Sequence, residues 1–160
     1  MKMYYYGYKL YTRGKPLPQH VDWLKKHNFL VVSLSPAYPE HLAELGDKSI
    51  HIPLPDGKLT DKVIEDVQRA KEHVVEYAKT SENVLTHCNA GRNRAALVTG
   101  LAYADLAEKS GNVALTHIRN IRPNSLANEE FATYLQHYRP YQSFAALHKA
   151  GITFSHVSSL

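Results

Sequence analysis

The only cysteine of this 160-residue chain, Cys88, stands in the stretch Val84-Leu85-Thr86-His87-Cys88-Asn89-Ala90-Gly91-Arg92-Asn93-Arg94-Ala95-Ala96. An apolar run ends in His87-Cys88, a short polar loop follows, and Arg94 opens an alanine-rich segment. The pattern predicts a strand entering the loop and a helix leaving it. Gly91 has no Cβ, so the backbone there can turn and approach a ligand closely. Such a loop aims its N–H groups inward, and the following helix adds the positive end of its dipole. Together they make an anion site. A cysteine at the mouth of that site reacts as its thiolate, the nucleophilic form. Arg94 can clamp two oxygens of a tetrahedral oxyanion with its planar fork. A thiolate, one arginine and the N–H donors of Asn89, Ala90, Gly91, Arg92, Asn93 and Arg94 are what phosphoryl transfer to sulfur requires. A lone cysteine is otherwise read as a small buried hydrophobe at a strand end. Here the loop, the arginine and the helix all fit one mechanism.

That mechanism needs a second residue. The leaving oxygen must receive a proton, and the water that attacks the phosphocysteine must lose one; a carboxylic acid on a nearby loop does both. Asp56 is the candidate, on the loop between the apolar stretch Ile50-His51-Ile52 and the next helix. Its other reading is a turn pair with Gly57. Asp61 is the second candidate, with favourable charge at a helix start as its other reading. Other chemistries find no support. The ten histidines are scattered, are expected to be mostly exposed, and include no HExxH and no cysteine–histidine ligand spacing, so no metal is expected. There is no Walker loop and no GxGxxG.

The elements that must position these residues are legible from periodicity. Tyr4 to Tyr11 predicts one or two short strands, and the four tyrosines Tyr4, Tyr5, Tyr6 and Tyr8 suit aromatic packing on a sheet better than a substrate groove. His20 to His27 and Pro39 to Leu45 predict short helices, the second ending at Gly46. Phe29 to Leu34 predicts a buried strand, and Ile50 to Ile52 and Asn83 to Thr86 predict further strands. Thr60 to Lys79 is the clearest helix: Thr60 can cap it, and Val63, Val67, Ala70 and Val74 recur at helical spacing. Arg94 to Ala107, Val113 to Ile121 and Asn128 to Lys149 predict three more. Strands alternating with helices imply an α/β domain with a largely parallel central sheet.

Bulk composition sets the outer bounds. With 44% hydrophobic and 21% charged residues, the chain reads as one soluble globular domain. A single cysteine excludes an internal disulfide and fits a reducing, intracellular setting such as the cytoplasm. No apolar run of about 18 residues predicts a membrane span, and no secretory h-region opens the chain. The net charge of +4 suits an anionic substrate, but the basic residues are not massed into a nucleic-acid-binding arm.

The segment His87-Cys88-Asn89-Ala90-Gly91-Arg92-Asn93-Arg94 resembles the His-Cys-x-x-Gly-x-x-Arg signature of the cysteine-dependent protein tyrosine phosphatase superfamily. Length and element order resemble its compact dual-specificity branch. Tyr11-Thr12-Arg13-Gly14 with Val21-Asp22-Trp23-Leu24 is similar to that branch's opening. Asn120-Ile121-Arg122-Pro123 with Asn128-Glu129-Glu130-Phe131 is similar to its closing segment. The resemblance implies a single α/β domain with a mostly parallel twisted sheet flanked by helices, over residues 1–150, followed by a tail at 151–160. It implies that Cys88 attacks phosphorus, that water hydrolyses the cysteinyl-phosphate, and that no cofactor takes part. It further implies that Asp56 is the general acid, that His87 organises the loop, and that Arg122 and Asn128 support it.

One position departs from the pattern. Where the family usually has Ser or Thr after the arginine, this chain has Ala95. The expectation is slow breakdown of the phosphoenzyme, visible as a burst of product before steady turnover. The implied substrate is a phosphorylated protein, with phosphotyrosine first and phosphoserine or phosphothreonine next. Arg92 places a second positive charge in the loop. It keeps two alternatives open, an RNA 5′-triphosphatase and a phosphoinositide phosphatase, while Ala95 keeps open a third, a slow phosphate-binding module.

Overall fold

The structure is a computed structural model that describes residues 1–80 and 82–140. Five strands form one sheet: β1 (Tyr4–Tyr5), β2 (Leu10–Arg13), β3 (Phe29–Ser33), β4 (Ser49–His51) and β5 (Asn83–His87), in the order β1-β2-β5-β3-β4. Only β1 runs antiparallel, against β2. The other neighbours pair in parallel, with Val31 opposite both Leu85 and Ser49. Five α-helices cover the sheet: α1 (Val21–Lys26), α2 (Asp61–Lys79), α3 (Arg94–Ala107), α4 (Gly111–Ile121) and α5 (Glu129–His137).

Alternation along the central strands divides the core. Val32, Leu34 and Val84 pack with residues of α2 to α5, whereas Phe29, Val31 and Leu85 pack with Val21, Leu24, Leu42 and Leu45 on the other face. Both faces are covered, which is why all five residues of β3 are buried and why parallel strands read as unbroken apolar runs.

The helix starts follow their caps. Thr60 Oγ1 accepts from the Val63 N–H at 3.3 Å, and Ser110 Oγ accepts likewise from Val113 N–H at 3.3 Å. The predicted Pro39–Leu45 helix is instead a run of 3₁₀ turns over Glu40–Lys48, broken at Gly46. Gly46 (φ +60°, ψ −130°) interrupts the run, which stays in short 3₁₀ turns. The predicted helix from Asn128 is α5 with Asn128 as its cap, but it stops at His137: Tyr138 turns extended (φ −68°, ψ 136°), two residues before Pro140, and residues 138–140 are not helical; the rest of the expected run to Lys149, and the tail at 151–160, lie outside the described residues. The histidines also differ from expectation. Of the eight described, only His27 and His137 are exposed, and His87 is fully buried. His41, His51 and His117 each contact a backbone carbonyl at 2.7 Å, which pulls them out of solvent.

Candidate active site

The Cys88 loop leaves the carboxyl end of β5, the middle strand of the sheet, and runs directly into α3. In open parallel sheets, ligands bind at this edge. Gly91 has φ +73°, and a Cβ there would lie 2.7 Å from the Arg13 backbone and 3.1 Å from Arg122 Nη1. Gly14, the residue after Arg13, packs as closely: a Cβ there would lie 2.7 Å from the Asn89 carbonyl oxygen. The same carbonyl accepts from Lys15 N–H at 3.2 Å. The loop is therefore packed tightly against the backbone of residues 13–15, and glycine is needed on both sides of that contact.

Within the loop, the Gly91 N–H donates to Cys88 Sγ at 3.2 Å. Cys88 is buried. Behind it, His87 Nδ1 lies 3.3 Å from the Cys88 carbonyl, which can only accept, so Nδ1 carries the proton. Burial is the main influence on His87, and it lowers the imidazole's pKa to about 4. The ring is therefore neutral at physiological pH, a structural pin rather than a base.

Arg94 is the first residue of α3 and is 6% exposed. Its Nη1 donates to the Leu54 carbonyl at 3.0 Å, while its Nε has no partner among the described residues. None of the ion pairs among those residues includes Arg94. A buried guanidinium without a carboxylate is costly unless an anion completes it.

Asp56 is brought to the same loop. Its Oδ2 accepts from Asn93 Nδ2 at 3.0 Å and its Oδ1 from Asn128 Nδ2 at 3.1 Å. Asn128 also donates to the Gly57 carbonyl at 3.0 Å, and Glu130 accepts from Leu59 N–H at 2.9 Å. The start of α5 thus holds the Asp56 loop against the Cys88 loop. Asp61 opens α2 and makes no bond to the Cys88 loop among the described residues. The Asn93 side chain serves Asp56 and, through Oδ1, accepts from Asn128 N–H at 3.1 Å. That bridge and the role of Glu130 were invisible in sequence, because each joins segments 35 or more positions apart. Arg122 stacks on the Tyr4 ring at 4.5 Å, beneath Gly91. Ala95 is fully buried and offers no hydroxyl. Asn89, Ala90 and Arg92 are exposed at the loop's rim.

The family model for the dual specificity phosphatase catalytic domain matches residues 10–140. The chain belongs to this family. It is a cysteine-based phosphatase, and its sheet and helices are the dual specificity phosphatase fold. Among solved structures, Tk-PTP in its active form is 20% identical, with a TM-score of 0.71 over 84% of this chain and 95% of that one. Human DUSP28 is 18% identical, with a TM-score of 0.71 over 84% and 90%. PTPMT1 in complex with PI(5)P is 14% identical, with a TM-score of 0.69 over 84% and 92%. No curated protein matches by sequence. No helix among the described residues of this phosphatase is long and apolar enough to cross a membrane.

Proposed function

We propose that this dual specificity phosphatase removes phosphate from proteins, phosphotyrosine first and phosphoserine or phosphothreonine next. The Cys88 thiolate attacks phosphorus in line with the ester oxygen. The S–P bond forms as the P–O bond breaks, and Asp56 gives the departing oxygen its proton. Water, deprotonated by the same Asp56, then attacks the phosphocysteine and releases phosphate and the thiolate. Arg94 and the loop N–H groups of residues 89–94 hold the equatorial oxygens throughout. The observation that carries the reading is the buried, carboxylate-free Arg94 at the end of the loop whose Cys88 sulfur accepts a loop N–H. A protein substrate is supported by the open rim, where Asn89, Ala90, Arg92 and Asp56 are exposed, as a phosphate on a bulky carrier requires. A phosphoinositide is the second reading, favoured by Arg92 and by the fold shared with PTPMT1, solved with PI(5)P.

The acid assignment has a direct test. Asp56→Asn lowers kcat on phosphotyrosine peptide by about 10²-fold or more, while Asp61→Asn stays near wild type. The reverse result would sink the assignment of Asp56.

A further inference from the structure

Asparagine suits a helix N-cap because its side-chain oxygen can accept from the first N–H groups of the helix. Asn128 does this for α5: its Oδ1 accepts from Phe131 N–H at 3.2 Å. Asn93 stands at the same position before α3, yet its side chain makes no capping bond. That leaves the first N–H groups of α3 unclaimed by a cap. The amide is used elsewhere: Nδ2 donates to Asp56 Oδ2 at 3.0 Å, and Oδ1 accepts from Asn128 N–H at 3.1 Å. The Asn128 backbone N–H can only donate, so Oδ1 must face it and Nδ2 must face Asp56. With Asn128 Nδ2 donating to Asp56 Oδ1, the bonds close a ring through all three residues.

The two asparagines fix different things. Asn128 ties the acid loop to α5, since its Nδ2 also donates to the Gly57 carbonyl. Asn93 lies inside the phosphate loop, directly before Arg94. Among the described residues it is the one side chain of that loop bonded to Asp56. Asp56 itself is exposed and enters no ion pair among those residues, so the two amides are its side-chain partners. A bond from α5 sets where Asp56 sits in the fold. A bond from the phosphate loop sets where it sits relative to phosphorus.

We propose that Asn93 is a positioning residue for proton transfer: its Nδ2–H aims the Asp56 carboxyl at the ester oxygen, which favours substrates whose leaving group must be protonated. The proposal rests on Asp56 as the general acid and adds the residue through which the phosphate loop directs it. As the S–P bond forms and the P–O bond breaks, Asp56 passes its proton to the departing oxygen and is left as a carboxylate. Asn93 and Asn128 then donate to one oxygen each. Each oxygen keeps a second lone-pair site, so the bonds leave room for the transfer. An acid displaced by about 1 Å can cost about 10²-fold in rate.

The test is the ratio of kcat/KM on phenyl phosphate to kcat/KM on p-nitrophenyl phosphate. Phenol, like the tyrosine side chain, ionises only near pH ~10, so its oxygen needs the proton, whereas nitrophenolate leaves without it. The quantity kcat/KM stops at phosphocysteine formation, so the later hydrolysis does not enter. Asn93→Ala is expected to lower the ratio by about tenfold or more, and so is Asn93→Leu, which fills the space without a donor. Asp56→Asn lowers it too, and Asn93→Ala adds no further drop in the Asp56→Asn background. Because the readout is a ratio, the amount of folded enzyme cancels. A loss equal on both esters in either Asn93 variant would overturn the proposal and leave Asp56 as the acid. A further drop in the double variant would show that Asn93 acts apart from Asp56 and would overturn it equally. An unchanged ratio in Asp56→Asn would remove the acid assignment, and this proposal with it.

Discussion

Burial sets the protonation state of a side chain next to Cys88. That side chain is His87. An exposed imidazole takes up a proton near pH 6.5, whereas the buried ring does so only near pH 4. Between those values the unfolded chain binds a proton that the folded chain refuses. Stability therefore falls as pH drops from about 6.5 to about 4 and loses nothing further from this group below that. The difference corresponds to about 3 kcal/mol. In thermal unfolding across this range, wild type loses Tm on acidification more steeply than His87→Gln; parallel slopes would contradict the account. Asp56 is the opposite case, an exposed carboxylate fixed by two asparagine side chains rather than by burial. Its aim depends on those amides, so it is positioned without being desolvated.

At the scale of elements, the site is the meeting of β5, α3 and the start of α5. Gly91 is the point where this geometry has least freedom. Gly91→Ala puts a methyl 2.7 Å from the Arg13 carbonyl carbon and oxygen, at a positive φ that alone costs about 1–2 kcal/mol. Because the clash is with backbone, the loop itself must shift. The variant is expected to fold with a lowered Tm and to lose most of its activity; wild-type turnover would show that this contact does not set the loop. Much of this element layer was legible in the sequence. The strand–loop–helix around Cys88 and the capped helix from Thr60 follow from local patterns of apolar spacing and punctuation. The bounds of α3 are those read from sequence, Arg94 to Ala107. The 3₁₀ run at Glu40–Lys48 was not legible, since a short amphipathic stretch does not reveal which helical turn it adopts. Nor were the contacts that assemble the site. Asn93 to Asp56, Asn128 to Asp56 and Glu130 to Leu59 are set by the way α5 lies over the loops, which no local pattern encodes.

Across the whole molecule, the sheet separates two cores and leaves its carboxyl edge for chemistry. Remote from that edge, Lys71 Nζ donates to Asp105 Oδ2 at 2.7 Å, and the Tyr138 hydroxyl donates to Asp105 Oδ1 at 2.6 Å. This ties α2 and α3 to the end of α5, the helix that carries Asn128 and Glu130. Burial and the Asp105 carboxylate hold the Tyr138 hydroxyl protonated well beyond the usual range for tyrosine. The acid loop thus depends on packing that extends through the helical layer. The central claim remains local: one thiolate does covalent chemistry on phosphorus with side chains and backbone alone. It is tested most directly by p-nitrophenyl phosphate hydrolysis with the reduced protein in EDTA, beside Cys88→Ser. The account predicts release that EDTA does not diminish and that vanishes in Cys88→Ser. Release that persists in the folded Cys88→Ser protein, or that EDTA abolishes in wild type, would contradict it.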